Sequence, residues 1–251
     1  MAVSQAIGFI RPDWPAPAHV QAVVTTRQGG VSKADYAGLN LATHVGDQQA
    51  AVNANRKLLQ ASLGLAAEPC WLNQVHGTDV VRADELQAPA DADAAITAVS
   101  DVVCAVLTAD CLPVLLTDTE GQSVAAVHAG WRGMCAGVIE NTVSAFRSEG
   151  IAAERILAWL GPAIGPDVYE VDVPVRDAML ATSPACTAAF HDSRPAHWYL
   201  DLYAAARLRL AALGIDRVYG GGFCTYSEER FFSHRRKAPC GRQASLIWIS
   251  A

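Results

Sequence analysis

The sequence predicts a protein of the mixed α/β class that folds as one domain spanning residues 1–251. Short apolar runs rich in β-branched residues alternate with longer stretches whose apolar residues recur at helical spacing. Hydrophobic residues make up 51% of the 251 residues and charged residues 18%, which is enough apolar material for a sizeable core. No internal repeat or low-complexity linker divides the chain.

The first predicted elements are a strand, a loop and a helix. "VQAVVTTR" (20–27) has the β-branched density of a strand, and the Gly, Ser and Asp residues of "QGGVSKADYAGLN" indicate a loop. "QQAAVNANRKLLQASLG" predicts a helix that ends at Gly64. "CWLNQVHG" (70–77) follows as a predicted strand.

Buried strands are predicted for the middle of the chain. The runs "AAITAV", "VVCAVLTADC", "PVLLTD" and "SVAAVHAG" are bounded by Asp, Gly or Pro and are too short to be separate helices. "MCAGVIENTVSAF" predicts a helix directly after Gly133, and "RILAWLG" predicts a strand. "DLYAAARLRLAALG" predicts a helix capped by Asp201 and ended by Gly214, before the last strands "RVYGGGF" and "ASLIWIS".

Charge and cysteine content exclude several classes of function. The net charge of −6 disfavours binding to a nucleic-acid backbone, which needs a basic face. The amino terminus lacks the pattern of a signal peptide, and no apolar run is long enough to span a membrane, so we expect a cytoplasmic protein without membrane contact. Seven cysteines without CxxC pairs do not predict a disulfide framework. Small-molecule chemistry fits these features best.

Three metal-competent residues stand at predicted strand ends: His76 in "NQVHG", Cys111 in "TADCLP" and His128 in "VHAGWRG". A single histidine or cysteine is more often a packing residue, so the prediction depends on all three occurring at strand ends, where functional sites collect. Two neutral imidazoles and one thiolate form a ligand set that Zn²⁺ accepts, with a fourth position open for water or substrate. The sequence therefore predicts a catalytic zinc site.

Eight ordered motifs resemble the signatures of one family: "TTRQGGVS", "NLATHVGD", "NQVHG", "ADCLPVLL", "HAGWRG", "GPAIGPDVYEV", "FFSHRR" and "GRQ". This is the family of multicopper polyphenol oxidase or laccase-domain proteins, whose members are now described as purine nucleoside phosphorylases. The resemblance covers the chain from about Val20 to Ile249. It implies phosphorolysis of adenosine, inosine, guanosine or methylthioadenosine, together with adenosine deaminase activity.

The resemblance also carries structural expectations. It implies a single α+β domain with mixed β-sheets, layered as helix, sheet, sheet and helix. By the same resemblance His76, Cys111 and His128 correspond to the family's zinc ligands, and they are expected to serve catalysis. The substrates it implies are a purine nucleoside and phosphate.

Cations near the predicted strand ends are candidates for binding phosphate. Gly130 and Gly133 let a ligand approach the backbone, and a helix from about Met134 would point its N–H groups toward the end of the same strand. Arg132 can add a bidentate contact, and Arg27 and Arg235 offer further positive charge. The alternative is a tight turn with solvated arginines.

Three further polar residues are candidates for contacting the nucleoside. The amides of Asn73 and Gln74 both donate and accept hydrogen bonds, which suits the edge of a purine. Asp110 adjoins Cys111 and is a candidate to orient a ligand, accept a proton or bind a ribose hydroxyl. A deaminase of the cytidine-deaminase type would carry an H-x-E motif, which "HGT" and "HAG" lack, so Asp110 is the candidate proton carrier. The alternatives are a structural cap for Asp110 and simple surface exposure for the amides.

Other functions compete with phosphorolysis. Two histidines, one cysteine and the nearby Met134 resemble a blue-copper ligand set, but seven histidines without an HxH pair are too few for a multicopper oxidase. Copper is thus the alternative metal. Cys111 could instead be the nucleophile of a cysteine hydrolase that edits peptidoglycan precursors, a use that competes with zinc ligation. A purely structural zinc would need a fourth protein ligand, which the sequence does not indicate.

Overall fold

A computed structural model describes residues 6–251 of the chain. Its α-helices are α1 (Gln49–Leu63), α2 (Trp131–Ala136), α3 (Val138–Ser148), α4 (Val173–Thr182) and α5 (Leu202–Ala212). Its strands are β1 (Phe9–Ile10), β2 (Val20–Thr25), β3 (Val80–Arg82), β4 (Ala94–Thr97), β5 (Cys104–Thr108), β6 (Leu112–Asp118), β7 (Val124–Ala129), β8 (Ile156–Leu160), β9 (Glu170–Asp172), β10 (Phe190–Asp192), β11 (His197–Leu200), β12 (Val218–Gly220) and β13 (Gln243–Ile249).

These strands form two large sheets and a small one. The six-stranded sheet has the order β12-β8-β6-β7-β4-β3, in which β3 with β4 and β8 with β12 are parallel and the other pairs antiparallel. The four-stranded sheet has the antiparallel order β1-β2-β13-β5. The strands β10, β11 and β9 form a small antiparallel sheet of their own.

Each large sheet is buried on both faces, which explains why its central strands are continuous apolar runs. In β6, Leu112, Val114 and Leu116 pack toward α3 and α5, whereas Leu115 packs toward the other sheet. In β13, Ile247 faces the six-stranded sheet and Leu246 faces α1. The order of layers is therefore helix, sheet, sheet, helix, and the predicted fold class is confirmed.

Most predicted elements lie where the sequence placed them. Helix α1 ends before Gly64, and α5 begins after Asp201, whose carboxylate accepts a hydrogen bond from the Ala204 N–H at 3.0 Å. All seven cysteines are free thiols. None of the helices in the described part of the chain has the length and apolarity needed to span a bilayer.

Two predicted elements were wrong. The segment 70–77 is a loop with isolated bridges instead of a strand, because side-chain hydrogen bonds rather than a ladder hold it. The helix predicted after Gly133 begins earlier, at Trp131, and is interrupted at Gly137, whose φ of 105° is left-handed and suits glycine. Consequently α2 has only 6 residues, and no long helix points its amino terminus at the end of β7.

Candidate metal centre and substrate cavity

The structure brings together the three residues that the sequence selected as metal ligands. The ligand atoms of His76, Cys111 and His128 all lie within 4.8 Å of one another. The Cys111 Sγ is 4.0 Å from His76 Nε2, and the two imidazole rings stand edge to face with centroids 4.8 Å apart. The cluster is therefore compact enough for one ion to contact all three side chains.

The six-stranded sheet positions two of these ligands. Cys111 directly precedes β6, and His128 lies near the end of β7. In the antiparallel register of these strands, Leu112 pairs with Ala129 and Pro113 with His128, so the thiol and the imidazole reach the same end of the sheet. His76 comes from the irregular segment 70–77, not from a strand end as the sequence suggested.

Gly130 makes room for the cluster. A Cβ atom at this position would lie 3.0 Å from Cys111 Sγ and 3.2 Å from His76 Cδ2, closer than ordinary van der Waals contact. Any other residue there would push the thiol and the imidazole away from their present positions. Gly130, two residues after His128 in the sequence, thus has a steric role in the ligand cluster.

A fully buried carboxylate, which the sequence analysis missed, supports the cluster. Asp93 Oδ1 lies 2.7 Å from His128 Nδ1 and accepts from the His76 N–H at 3.0 Å, while Oδ2 accepts from the Val75 and Gly77 N–H groups at 3.1 and 2.6 Å. Asp93 stands in "ADADAA", and the Asp and Ala residues around it indicate only a loop that precedes a strand.

Two residues of the site have unusual backbone conformations. His76 has a φ of 59° and Asp110 a φ of 90°, both in the left-handed region. A non-glycine residue held there costs about 1–3 kcal/mol, and such residues persist where the surrounding structure over-determines them. The hydrogen bonds that the Val75, His76 and Gly77 N–H groups donate to the Asp93 carboxylate hold His76 in this conformation.

The protonation of the cluster favours a thiolate. Burial raises the pKa of the Cys111 thiol, but the charge and hydrogen bonding of His128 and His76 outweigh it and bring that pKa to about 6. Burial lowers the pKa of His128, but Cys111 and Asp93 raise it more, so it lies above the usual histidine value. The pKa of Asp93, which burial raises, is lowered overall by its bonds to His128 and the Gly77 N–H.

In the metal-free protein we expect iodoacetamide to alkylate Cys111 before Cys70. The pKa of Cys111 is about 6, whereas burial raises that of Cys70 to about 11, so at pH 7.5 only the former is mainly thiolate. Peptide mass mapping over time measures the order. Modification of both thiols at one rate at pH 7.5 would contradict it. Zinc loading should protect Cys111 and leave the rate at Cys70 unchanged.

The donor set fits a transition-metal ion. Two imidazole nitrogens and one thiolate are ligands that Zn²⁺ accepts at a catalytic site with one open position. A blue-copper centre would add a weak axial methionine, but Met134, a residue of α2, is fully buried in the core and does not line the cavity above the cluster. His76, Cys111 and His128 are thus the residues that would hold a metal ion.

The cluster opens into a cavity of about 360 Å³. Its walls include four of the residues that the sequence predicts for substrate binding or proton transfer: Gln74, Asp110, Arg132 and Arg235. Arg27 and Asn73 are not among the lining residues.

The two nominated amides are engaged with the protein. Gln74 donates from Nε2 to the Leu107 carbonyl at 2.8 Å and accepts from the Leu107 N–H at 2.7 Å, so its amide fastens the His76 segment to the end of β5. Asn73 donates to the carboxylate of Asp91. These bonds use one N–H of each amide and one oxygen lone pair of Gln74, so a purine edge would have to bind the N–H and lone pairs that remain.

Arg27 is also engaged away from the cavity. Its guanidinium donates to the Ala37 carbonyl at 3.0 Å and lies 5.0 Å from the centre of the Phe232 ring. A phosphate contact by Arg27 stays a prediction, and it would require the side chain to leave these partners.

The cavity arginines stack on cavity aromatics. The guanidinium carbon of Arg132 lies 4.5 Å from the centre of the Trp131 ring, and that of Arg235 lies 5.2 Å from the centre of Tyr169. Asp110 accepts from the Arg235 N–H and from Thr225 Oγ1, both at 2.6 Å, and thereby holds the loop that carries Arg235. Asp110 therefore adjoins Cys111 in the sequence and also fixes the position of the loop in the cavity wall that carries Arg235.

Several lining residues were missed as site residues. They are His44, Trp131, Tyr169 and Arg242. His44 and Arg242 stand in the motifs "NLATHVGD" and "GRQ", which carried the family resemblance, but no spacing rule joins them to the metal ligands. Their place in these motifs was therefore the sequence signal that could have identified His44 and Arg242 as site residues.

Comparisons with known proteins add a family and several relatives. Residues 21–250 match the model of the family described as multi-copper polyphenol oxidoreductase laccase. The chain is 49% identical over 243 residues to a purine nucleoside phosphorylase of Pseudomonas aeruginosa and 49% identical over 245 residues to the purine nucleoside phosphorylase YfiH of Escherichia coli; each alignment covers 96% of this chain and 98% of the relative. The crystal structure of a Neisseria meningitidis protein matches with a TM-score of 0.93 at 48% identity, covering 97% of this chain and 99% of that one. YlmD from Geobacillus stearothermophilus matches with a TM-score of 0.90 at 34% identity, covering 97% of each chain.

Proposed function

This chain belongs to the multi-copper polyphenol oxidoreductase laccase family, and from that premise we propose that it is a zinc-containing purine nucleoside phosphorylase. It cleaves adenosine, inosine, guanosine or methylthioadenosine with phosphate, giving the free base and ribose 1-phosphate or its methylthio derivative. Relatives named purine nucleoside phosphorylase at 49% identity support the activity.

The observation that carries this proposal is a cationic cavity above the ligand cluster. Arg132, Arg235 and Arg242 line the cavity, and within residues 6–251 none of them forms a salt bridge with a carboxylate. The chain as a whole carries a net charge of −6. Three guanidinium groups without a carboxylate partner stand in the same cavity wall as the negatively charged Asp110 and Cys111, and this excess of arginine in an acidic protein favours an anionic ligand; phosphate accepts bidentate bonds from arginine.

The walls of the same cavity also suit the purine nucleoside, the second substrate of phosphorolysis. In phosphorolysis a phosphate oxygen forms a bond to the anomeric carbon of ribose while the bond from that carbon to the purine nitrogen breaks, through a transition state like an oxocarbenium ion. The arginines hold phosphate against the sugar, and the rings of Trp131 and Tyr169 offer apolar surface to the purine. When bound to His76, Cys111 and His128, Zn²⁺ supplies a Lewis acid beside the reacting groups.

Adenosine deamination is proposed as a companion activity in the same cavity. In this reaction the oxygen of water bonds to C6 of the purine, the bond from C6 to the exocyclic amino nitrogen breaks and ammonia leaves, which needs a proton carrier near the ligand cluster. Asp110 lines the cavity and adjoins Cys111, which supports it for this role, although both its carboxylate oxygens accept hydrogen bonds from the protein.

A nucleoside panel tests the proposal. Zinc-loaded protein is incubated with adenosine, inosine, guanosine and methylthioadenosine, with and without phosphate, and the products are identified by mass. Free base together with ribose 1-phosphate, formed only with phosphate, is the expected result, and inosine from adenosine reports deamination. Release of no base from any of the four would sink the proposal.

Arg132→Ala is expected to raise KM for phosphate about 10- to 100-fold, because loss of a charge-assisted contact costs about 1.5–3 kcal/mol. KM for the nucleoside should change less. Steady-state kinetics measures both, with Arg217→Ala, an exposed arginine away from the cavity, as the matched control. An unchanged phosphate KM would remove Arg132 from the site, and the same assay on Arg27→Ala tests the contact that the sequence predicts.

A cysteine hydrolase is the second candidate, because the site also resembles a catalytic triad. His128 lies between the Cys111 thiol and the Asp93 carboxylate, an order in which a histidine can deprotonate a thiol while a carboxylate orients the ring. This function needs no metal. A covalent acyl adduct on Cys111, found by mass spectrometry in metal-free protein with an activated amide or ester, would favour it over phosphorolysis.

Copper-dependent phenol oxidation is the remaining alternative, supported by the family description. Comparing base release by the zinc-loaded protein with phenol oxidation by the copper-loaded protein distinguishes the two. Oxidation at useful rates without any phosphorolysis would replace the phosphorylase proposal.

A further inference from the structure

We propose that Asp93 is a positioning residue that sets two of the three metal ligands at once, by fixing the ring of His128 and the backbone of His76. The inference rests on the proposed metal centre but not on phosphorolysis, and metal binding tests it separately from catalysis. Asp93 itself does not belong to the ligand cluster and does not line the cavity.

The first half of this role is the orientation of an imidazole. Asp93 Oδ1 lies 2.7 Å from His128 Nδ1, and Asp93 is fully buried. A carboxylate can only accept, so Nδ1 carries the proton of this bond and Nε2 remains available to a metal ion. The negative charge also makes the imidazole a stronger ligand, as carboxylates behind metal-binding histidines do.

The second half is the backbone of the loop that carries His76. Three consecutive N–H groups, those of Val75, His76 and Gly77, point at the same carboxylate at 2.6–3.1 Å. These bonds hold the loop around the left-handed conformation of His76. Without this acceptor, three backbone donors would lose their partner, and the loop would lose the contacts that define its course.

The main chain keeps Asp93 in place for both tasks. Asp93 directly precedes β4, where Ala94 pairs with Val127 of β7, and the His128 N–H donates to the Asp93 carbonyl at 2.7 Å. The residue is therefore joined to His128 through its backbone and its side chain. Asp93, which directly precedes β4, thus determines the distance between His76 and His128, two ligands that are 52 residues apart in sequence.

Asp118 offers a matched control elsewhere in the fold. It is also a fully buried aspartate, and its carboxylate accepts from the N–H groups of Glu120, Gln122 and Ser123 at 2.7–3.0 Å. It lies at the opposite end of β6 from Cys111 and touches no metal ligand. Asp93→Asn and Asp118→Asn therefore remove comparable buried charges, only one of which faces the ligand cluster.

The test measures metal binding by the folded full-length protein. Asp93→Asn should weaken Zn²⁺ binding about 10- to 100-fold in a chelator competition and alter the visible spectrum of the Co²⁺-substituted protein. Asp118→Asn should keep the wild-type affinity and spectrum even if its melting temperature falls. Wild-type affinity and an unchanged Co²⁺ spectrum in Asp93→Asn would overturn the proposal.

The protonation of the His128 ring in the wild-type protein tests the same role of Asp93 without depending on whether Asp93→Asn folds. In ¹⁵N-labelled, zinc-loaded protein, the His128 ring should carry its proton on Nδ1, visible as a slowly exchanging imidazole N–H resonance. A ring protonated on Nε2, or one that titrates freely in the loaded protein, would overturn it.

Discussion

Replacing Cys111 by alanine is expected to abolish stoichiometric zinc binding and, with it, both phosphorolysis and deamination. The thiolate is one of only three side chains in the ligand cluster, and a pKa of about 6 keeps it charged at neutral pH. Losing the partner behind a ligand typically costs about 10- to 100-fold in affinity, so losing the ligand itself should cost more than about 100-fold. Elemental analysis of the purified variant measures the effect.

The double variant Cys111→Ala plus His128→Ala gives the clearest result, because a single remaining histidine cannot hold the ion. Cys135→Ala is the matched control: it removes a half-buried thiol from α2, close to the cluster in sequence and outside the cavity lining. Stoichiometric zinc in the double variant would refute the metal centre. Unchanged metal content but lost activity in Cys111→Ala alone would favour the hydrolase hypothesis.

Gly130→Ala is expected to weaken zinc binding roughly 5- to 100-fold while leaving every ligand in the sequence intact. The new methyl group meets Cys111 Sγ at 3.0 Å and His76 Cδ2 at 3.2 Å, so it displaces two ligands from their common position. Overpacking of this kind costs about 1–3 kcal/mol. The backbone of Gly130 is not left-handed, so the effect comes from steric contact rather than from conformational strain.

A double-mutant cycle checks this cause. In the Cys111→Ala background the nearest contact of the new methyl group is gone, so Gly130→Ala should lower the melting temperature of the metal-free protein by less than it does in the wild type. Equal losses in both backgrounds would mean that the glycine matters for another reason. Unchanged zinc affinity of the single variant would show that the cluster tolerates the added volume.

The layered core could be predicted from the sequence because its signals are local. The runs that became β6, β7 and β13 are apolar on both faces, as strands covered on both sides must be. The interruption between α2 and α3 could not be predicted in the same way, because a glycine within a helical pattern is often tolerated. The small sheet of β9, β10 and β11 was not predicted, since its strands are short and partly exposed.

The site was predictable only in part, for a similar reason. His76, Cys111 and His128 could be selected without knowing which strands pair, because all three are metal-competent residue types at predicted strand ends and each stands in a motif of the family resemblance, although His76 lies in a loop. Asp93 and Gln74 act through hydrogen bonds to residues distant in sequence, and these depend on the register of β4 with β7 and on the course of a loop that was predicted to be a strand. Roles of this type emerge only once the topology is known.

The left-handed backbone at His76 bears on how this protein can evolve. Glycine adopts that conformation without penalty, so the change His76→Gly would remove a metal ligand and relieve the local backbone at the same time. Selection for folding alone would therefore favour the loss of this histidine, and only selection for chemistry would retain it. A descendant that is no longer selected for this chemistry would keep all four layers of the fold while it lost its metal ligands. Its overall similarity to its relatives would not reveal that it had lost its activity.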